Sequence, residues 1–249
     1  MKIQVLNLHA LTGILKKIFA LFTVLSLVLV GAIAGRRHPS FAFVQVSSET
    51  DLPLVILDAG HGGEDSGAVG ADGTLEKDVN LALTYMLGEM LRENGYAVIF
   101  TRTEDALLYT AEENIKGMRK IYDLKNRVAI AERYPDAMFV SIHMNAFGQE
   151  QYRGLQVYYN VSGGTSEQLA RAVQDEVILQ VQEDNRRKIK RGEGMYLLEN
   201  MKNTSILIEC GFLSNPEECK KLCEKEYQKQ LCFAIVCGMI KYESMKKQS

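Results

Sequence analysis

The chain has almost no excess of charge of either sign: 29 Lys and Arg stand against 31 Asp and Glu, a formal net charge of -2. No long basic stretch breaks that balance, which argues against nucleic acid as a main ligand. Internal repeats and low-complexity segments are absent too, so the chain is neither a solenoid nor an array. Histidine is scarce, four in 249 residues. None stands in the compact His-Glu-x-x-His spacing that puts two imidazoles on one helix face. Cysteine is uneven: Cys210, Cys219, Cys223, Cys232 and Cys237 are odd in number and confined to the last quarter of the chain, so complete internal pairing is impossible. Cys219 and Cys223 lie one helical turn apart but lack a nearby histidine, and the five read as small buried apolar residues rather than a second metal site.

What is present suffices for one core. Apolar residues make up 47% of the chain. Ile18 to Gly35 carries no charge, follows Lys16 and Lys17, and ends at Arg36 and Arg37. Residues 1–35 are therefore expected to act as a signal peptide or a membrane anchor with the N-terminus inside, placing the rest of the chain outside. Ala32-Ile33-Ala34 offers a small-x-small cleavage site, so both forms stay open. Residues 36–52 mix Ser, Thr, Pro and charge and read as a linker; residues 53–247 form a single domain of about 195 residues.

Within that domain the hydrophobic period alternates. Strand-like runs at Leu54 to Asp58, Ala97 to Thr101, Ala137 to Ile142, Gly154 to Tyr159 and Ser205 to Glu209 are separated by stretches with apolar residues three and four apart. The expectation is an α/β fold: one mostly parallel, twisted sheet of five or six strands flanked by helices. Helices are expected from Leu75 to Asn94, with Leu75, Val79, Leu83, Met86 and Met90 inward and Gly95 as the stop; from Tyr122 to Arg133; from Ser166 to Gln182; and after the Asn215 cap. The stretch Ala106 to Lys120 is long and polar and reads as a cleft rim or a docking site.

Four residues stand where strands or helices meet loops: His61, Glu76, His143 and Glu209. His61 ends a short apolar strand and enters a loop with Gly60, Gly62, Gly63 and Gly67, and His143 repeats the design after Phe139-Val140-Ser141-Ile142. Gly60-x-Gly62 after a strand also suggests a dinucleotide loop, but Asp65 occupies the third glycine's place and no helix opens there. Two neutral imidazoles and a carboxylate leave a bound zinc positively charged, with one position open for water. Glu209 directly follows Ile206-Leu207-Ile208, and burying it calls for a compensating charge or a metal. Glu76 lies in the first turn of a helix, where it either complements the helix dipole or binds metal. Arg102 either meets a substrate carboxylate or braces the sheet edge, and Asn145 either holds substrate or caps a turn. The basic run Arg186, Arg187, Lys188, Lys190 and Arg191 reads as a solvated face, with an anionic wall polymer as the rival partner.

Several of these segments together resemble the zinc-dependent N-acetylmuramoyl-L-alanine amidases, most of all the short sporulation and germination type. The resemblance rests on Leu57-Asp58-Ala59-Gly60-His61-Gly62-Gly63-Glu64-Asp65-Ser66-Gly67-Ala68, Glu76-Lys77, Thr101-Arg102, Ser141-Ile142-His143-Met144-Asn145-Ala146 and Ile208-Glu209-Cys210-Gly211-Phe212-Leu213-Ser214-Asn215-Pro216-Glu217. It departs at Ala59 and Cys210, where proline and a small apolar residue are expected. The resemblance implies one Zn2+ per chain on His61, Glu76 and His143, with Glu209 as the catalytic carboxylate. It further implies a peptidoglycan substrate cut between N-acetylmuramic acid and L-alanine, export to the outer face of the membrane, the wall or the forespore intermembrane space during cortex maturation, and room for an accessory activator protein. A zinc peptidase or deacetylase on the same polymer, or a non-catalytic wall-binding module, are the competing functions.

Overall fold

Val55, Ile56, Leu57, Phe139, Val140, Ile206 and Ile208 are all fully buried, although neighbours along a strand point to opposite faces of a sheet. Burial on both faces is the signature of parallel strands covered by helices on each side. The computed structural model, which describes residues 52–162 and 164–248, has this architecture. The expected N-terminal segment and all of the expected linker except Leu52 lie outside the described residues.

The six-stranded sheet runs in the order β2-β1-β3-β6-β4-β5, with β1 Leu54–Ala59, β2 Ala97–Phe100, β3 Met138–Asn145, β4 Gln156–Tyr159, β5 Lys190–Arg191 and β6 Ser205–Phe212. β2, β1, β3 and β6 are mutually parallel, β4 is antiparallel to β6, and β5 is parallel to β4. The helices are α1 Glu76–Glu93, α2 Arg119–Glu132, α3 Ser166–Gln180, α4 Tyr196–Asn200, α5 Pro216–Cys223 and α6 Lys225–Lys246. The expected α/β class and the five expected strands are all present. β5 and α4 were not anticipated, since a two-residue strand and a five-residue helix carry no readable period.

Alternation sorts the strand residues. Val55, Leu57, Val140, Ile142, Ile206 and Ile208 belong to the main core, where they join residues of α1, α3 and α6. The opposite face begins with Ile56, Phe139 and Leu207 and turns polar towards the strand ends, at Asp58, Ser141, His143 and Glu209. The buried apolar side chains of α1 are Val79, Leu83, Leu87 and Leu91, one every four residues, and Met86 and Met90 pack partly buried beside them. The inward stripe is thus rotated from the expected one, because α1 is covered by α6 as well as by the sheet. Gly95 follows the helix with φ of +80°, a left-handed residue that stops it. Asn215 accepts a hydrogen bond from Glu218 N and caps α5 as expected.

The cysteines are all free. Cys210, Cys219 and Cys232 are buried in the core, Cys237 is half-buried and Cys223 is exposed. Among the described residues no helix is long and apolar enough to cross a membrane.

The polar face carries a buried ion cluster. Arg127 of α2 donates to Asp58 of β1 and to Asp123, and Asp58 also accepts from Thr101 Oγ1 and Ser141 Oγ, each at 2.6 Å. Burial pushes the Asp58 carboxyl up, but the Arg127 charge and the two hydroxyls outweigh it and hold the group below its ordinary value. Its stabilising contribution is therefore present above the unfolded-state pKa and is lost as pH falls through the lower folded one. Asp58→Asn removes one of the two counter-charges of a buried guanidinium and leaves Asp123 alone to answer it. Denaturant titration should show a loss of about 3–5 kcal/mol at neutral pH, and a loss below about 1 kcal/mol would refute the assigned role.

Candidate metal centre and catalytic carboxylate

Residues from three loop junctions meet at the C-terminal ends of β1 and β3, the edge at which open α/β sheets gather ligands. His61 follows β1, His143 lies in β3, and Glu76 opens α1. Glu76 Oε1 stands 3.2 Å from His61 Nε2 and 3.0 Å from His143 Nδ1. The candidate ligand atoms of the three residues all lie within 4.8 Å of one another. Donors about 2.0–2.1 Å from a tetrahedral ion are separated by about 3.3 Å, so the set matches the hard and borderline donors that zinc accepts.

Local backbone makes this approach possible. A Cβ on Gly60 would fall 2.2 Å from the His143 ring, and one on Gly67 would fall 2.5 Å from Glu76 Oε2. Gly60 needs glycine for contact alone, whereas Gly67, with φ of +66°, needs it for its left-handed backbone as well. His61 has φ of +60°, the one non-glycine residue among those described with a left-handed backbone. Such a residue costs roughly 1–3 kcal/mol and persists only where its surroundings over-determine it. Here Arg127 Nη2 donates to His61 O, Gly60 N donates to Ile142 O, and Gly62 and Asp65 exchange backbone hydrogen bonds.

Two neighbours orient the ligands. His61 Nδ1 lies 2.9 Å from Asp65 Oδ2, leaving Nε2 to face Glu76. A carboxylate on the far nitrogen of a metal-binding imidazole fixes its tautomer and raises its basicity. Asn80 Nδ2 donates to Glu76 Oε1 and to Gly60 O. Glu76 also accepts from Met144 N and Ala68 N. Burial pushes the Glu76 carboxyl up, yet the two histidines outweigh it and hold the group far below its ordinary value. For His61 burial acts downward, and Glu76 and Asp65 overcome it to raise the group. Neither Asp65 nor Asn80 was anticipated. The signal for Asp65 was its place four residues after His61 in a tight loop.

Glu209 is set apart from this trio. It is the Cα partner of His143 across β3 and β6, so both side chains point to the same face of the sheet. Its Oε2 is buried and has no hydrogen-bond partner. Burial pushes the carboxyl up to about 7, against the charges of the nearby histidines. A carboxylate poised there can both take and give a proton near neutral pH.

Arg102 is buried, and its guanidinium donates to the backbone carbonyls of Ala59, Gly60, Lys77 and Glu104. That arrangement favours the bracing alternative over a substrate contact. Asn145 ends β3 half-buried, as the Cα partner of Phe212. The Ala106 to Lys120 stretch is anchored by its buried Leu107 and Leu108, while Ile115 and Met118 are exposed. Ion pairs tie this region to the histidine loop, Lys120 with Asp65 and Arg119 with Glu64, and just before it Asp105 pairs with Lys77 of α1.

The family model for N-acetylmuramoyl-L-alanine amidases matches residues 55–241. The chain is 38% identical over 195 residues to the germination-specific N-acetylmuramoyl-L-alanine amidase of Bacillus subtilis, covering 78% of this chain and 81% of that protein. Among solved structures it is similar to the CwlD amidase from Clostridioides difficile in complex with the GerS lipoprotein, at 43% identity and a TM-score of 0.74, over 78% of this chain and 99% of the other. The amidase AmiC2 of Nostoc punctiforme matches at 34% identity and a TM-score of 0.66, over 78% of this chain and 99% of the other. With these matches spanning the sheet, the histidine loop and the Glu209 strand, the chain belongs to the N-acetylmuramoyl-L-alanine amidase family.

Proposed function

We propose that this peptidoglycan amidase cuts the amide between N-acetylmuramic acid and L-alanine with a single zinc ion held by His61, Glu76 and His143, and with Glu209 as the proton carrier. The observation that carries the reading is the pairing of a three-residue donor set with a separate buried carboxylate whose Oε2 lacks a partner. When bound, zinc supplies a Lewis acid and makes water ionise near neutral pH.

The chain's own residues do the rest. Glu209 takes a proton from the attacking water as its oxygen adds to the lactyl carbonyl carbon, and then delivers that proton to the amide nitrogen as the C–N bond breaks. The products are a lactyl carboxylate on the sugar and a stem peptide with a free alanine amine. Asp65 and Asn80 hold His61 and Glu76 in register throughout.

The likeness to the germination-specific amidase supports a place in spore cortex maturation, with the trimmed muramic acid going on to the lactam. It also supports export, to the wall or the forespore intermembrane space, with the uncharged N-terminal segment as the means. The CwlD amidase of Clostridioides difficile is seen with a lipoprotein, which supports an accessory protein as a partner here.

Three outcomes are expected. Glu209→Gln should keep its metal, as measured by elemental analysis, and lose about 10²–10⁴-fold in release of alanine-headed peptides by mass spectrometry; wild-type activity would end the assignment. Asp65→Ala should weaken zinc binding about 10–100-fold in a chelator competition, with the fold intact by circular dichroism, and unchanged affinity would remove Asp65 from the site. Cells forming spores without the protein should yield cortex muropeptides devoid of muramic lactam, whereas a normal lactam content would refute the sporulation role.

A further inference from the structure

The basic run after α3 does not behave as a uniform solvated face. Arg186, Lys188, Lys190 and Arg191 are exposed, but Arg187 turns inward and is half-buried. Its Nη2 donates to Gln156 Oε1 at 2.6 Å. Its guanidinium lies 4.8 Å from the centroid of the Phe212 ring, which in turn stacks on Tyr152 at 6.4 Å. Cation–π stacking and the Gln156 bond fix the plane of the group before any ligand arrives.

That preorganised cation is incompletely used. Arg187 Nε is buried and without a hydrogen-bond partner, a costly state for a charged donor. Nearby basic side chains are satisfied differently: Arg153 pairs with Asp184 and Arg191 approaches Glu193, whereas Arg187 has no ion pair among the described residues. Its charge reaches Glu209 without pairing with it.

Position completes the argument. His143, Glu209 and Gln156 are Cα partners across β3, β6 and β4, so they form one row on one face of the sheet. Arg187 caps that row on the side away from the candidate metal ligands, and it lines an open cavity of about 440 Å³ together with Tyr152 and Arg186, whose rim also carries Asp184, Glu217 and Glu218. Adjacent strands are about 4.8 Å apart, and one trans peptide unit spans about 3.8 Å from Cα to Cα. A group one residue beyond the scissile amide therefore falls about one strand past Glu209.

We propose that Arg187, held flat on Phe212 by Gln156, is a specificity-determining residue that binds the free α-carboxylate on the second residue of the stem peptide. This rests on the amidase reading above. The chemistry is that of a charge-assisted hydrogen bond from the accessible part of the half-buried guanidinium to a carboxylate oxygen, in a site shielded enough to reward it. A substrate with a carboxamide at that position brings no charge to the guanidinium and leaves it unpaired.

The test compares two soluble muropeptides that differ only in a carboxylate or a carboxamide at the second residue, with zinc-loaded full-length protein. Wild type should favour the carboxylate by about 10–100-fold in kcat/KM, mostly through KM. Arg187→Gln should bring that ratio to within about threefold of unity, and Arg187→Lys should recover part of it. Equal wild-type rates on the two substrates overturn the proposal without any variant being needed, and so does an undiminished preference in Arg187→Gln. Failure of wild type to release an alanine-headed peptide from either substrate overturns the amidase reading itself, and this assignment with it.

Discussion

A guanidinium that water cannot reach has to be answered from within the protein, and Arg127 is answered from every side. Asp58 and Asp123 supply its counter-charge, and the carbonyls of Ala59 and His61 take its remaining donors. Those contacts join the end of β1, the first residues of the histidine loop and α2 into one rigid body. His61 can hold its left-handed backbone only because both its carbonyl and its ring are tied down, the first by Arg127 and the second by Asp65. The placing of one candidate metal ligand is thus a consequence of a buried ion cluster, and the cost of burying that cluster is offset by the order it imposes.

Arg102 extends the same logic to the other side of the loop. Its four backbone carbonyl partners come from the end of β1, the start of α1 and the segment after β2. Two arginines therefore replace the backbone ladder where the sheet ends and the loop begins, satisfying carbonyls that no strand can reach. The outer ion pairs are different in kind. Lys120, Glu64 and Asp105 are substantially exposed, so each pair contributes little on its own and weakens with salt. Lys120 is the exception in consequence, since it shares Asp65 with His61 and so competes for the carboxylate that orients the ring.

How far the sequence discloses such a design depends on the range of the interactions. The parallel strands were readable because burial on both faces writes an unbroken apolar run, as in Val55-Ile56-Leu57 and Ile206-Leu207-Ile208. His61, Glu76, His143 and Glu209 stood out as candidates because each interrupts such a run, or opens a helix, with a polar group. β5 was not, because Lys190 and Arg191 pair with β4 through the backbone alone while their side chains stay exposed. Arg127 looked like any charged residue on an amphipathic helix; its partner Asp58 lies 69 residues away, and no local period records that distance. Arg187 was hidden by its company, since four exposed basic neighbours make the fifth look exposed as well.

Two of the four buried side-chain atoms left without partners among the described residues, Glu209 Oε2 and Arg187 Nε, explain each other's position. Had evolution sought stability alone, a carboxylate and a guanidinium on the same face of one sheet would have paired and cancelled. Gln156 prevents that: it stands between them in the row, takes Arg187 Nη2 on its Oε1, and sends its Nε2 to Lys188 O. A neutral amide engaged at both ends keeps two opposite charges apart without exposing either. Tyr158 reinforces it with a hydroxyl bond to the same oxygen. The separation leaves Glu209 free to hold a proton near neutrality and leaves Arg187 with a charge still to be met, so the row stores in two unsatisfied atoms what a single salt bridge would have consumed.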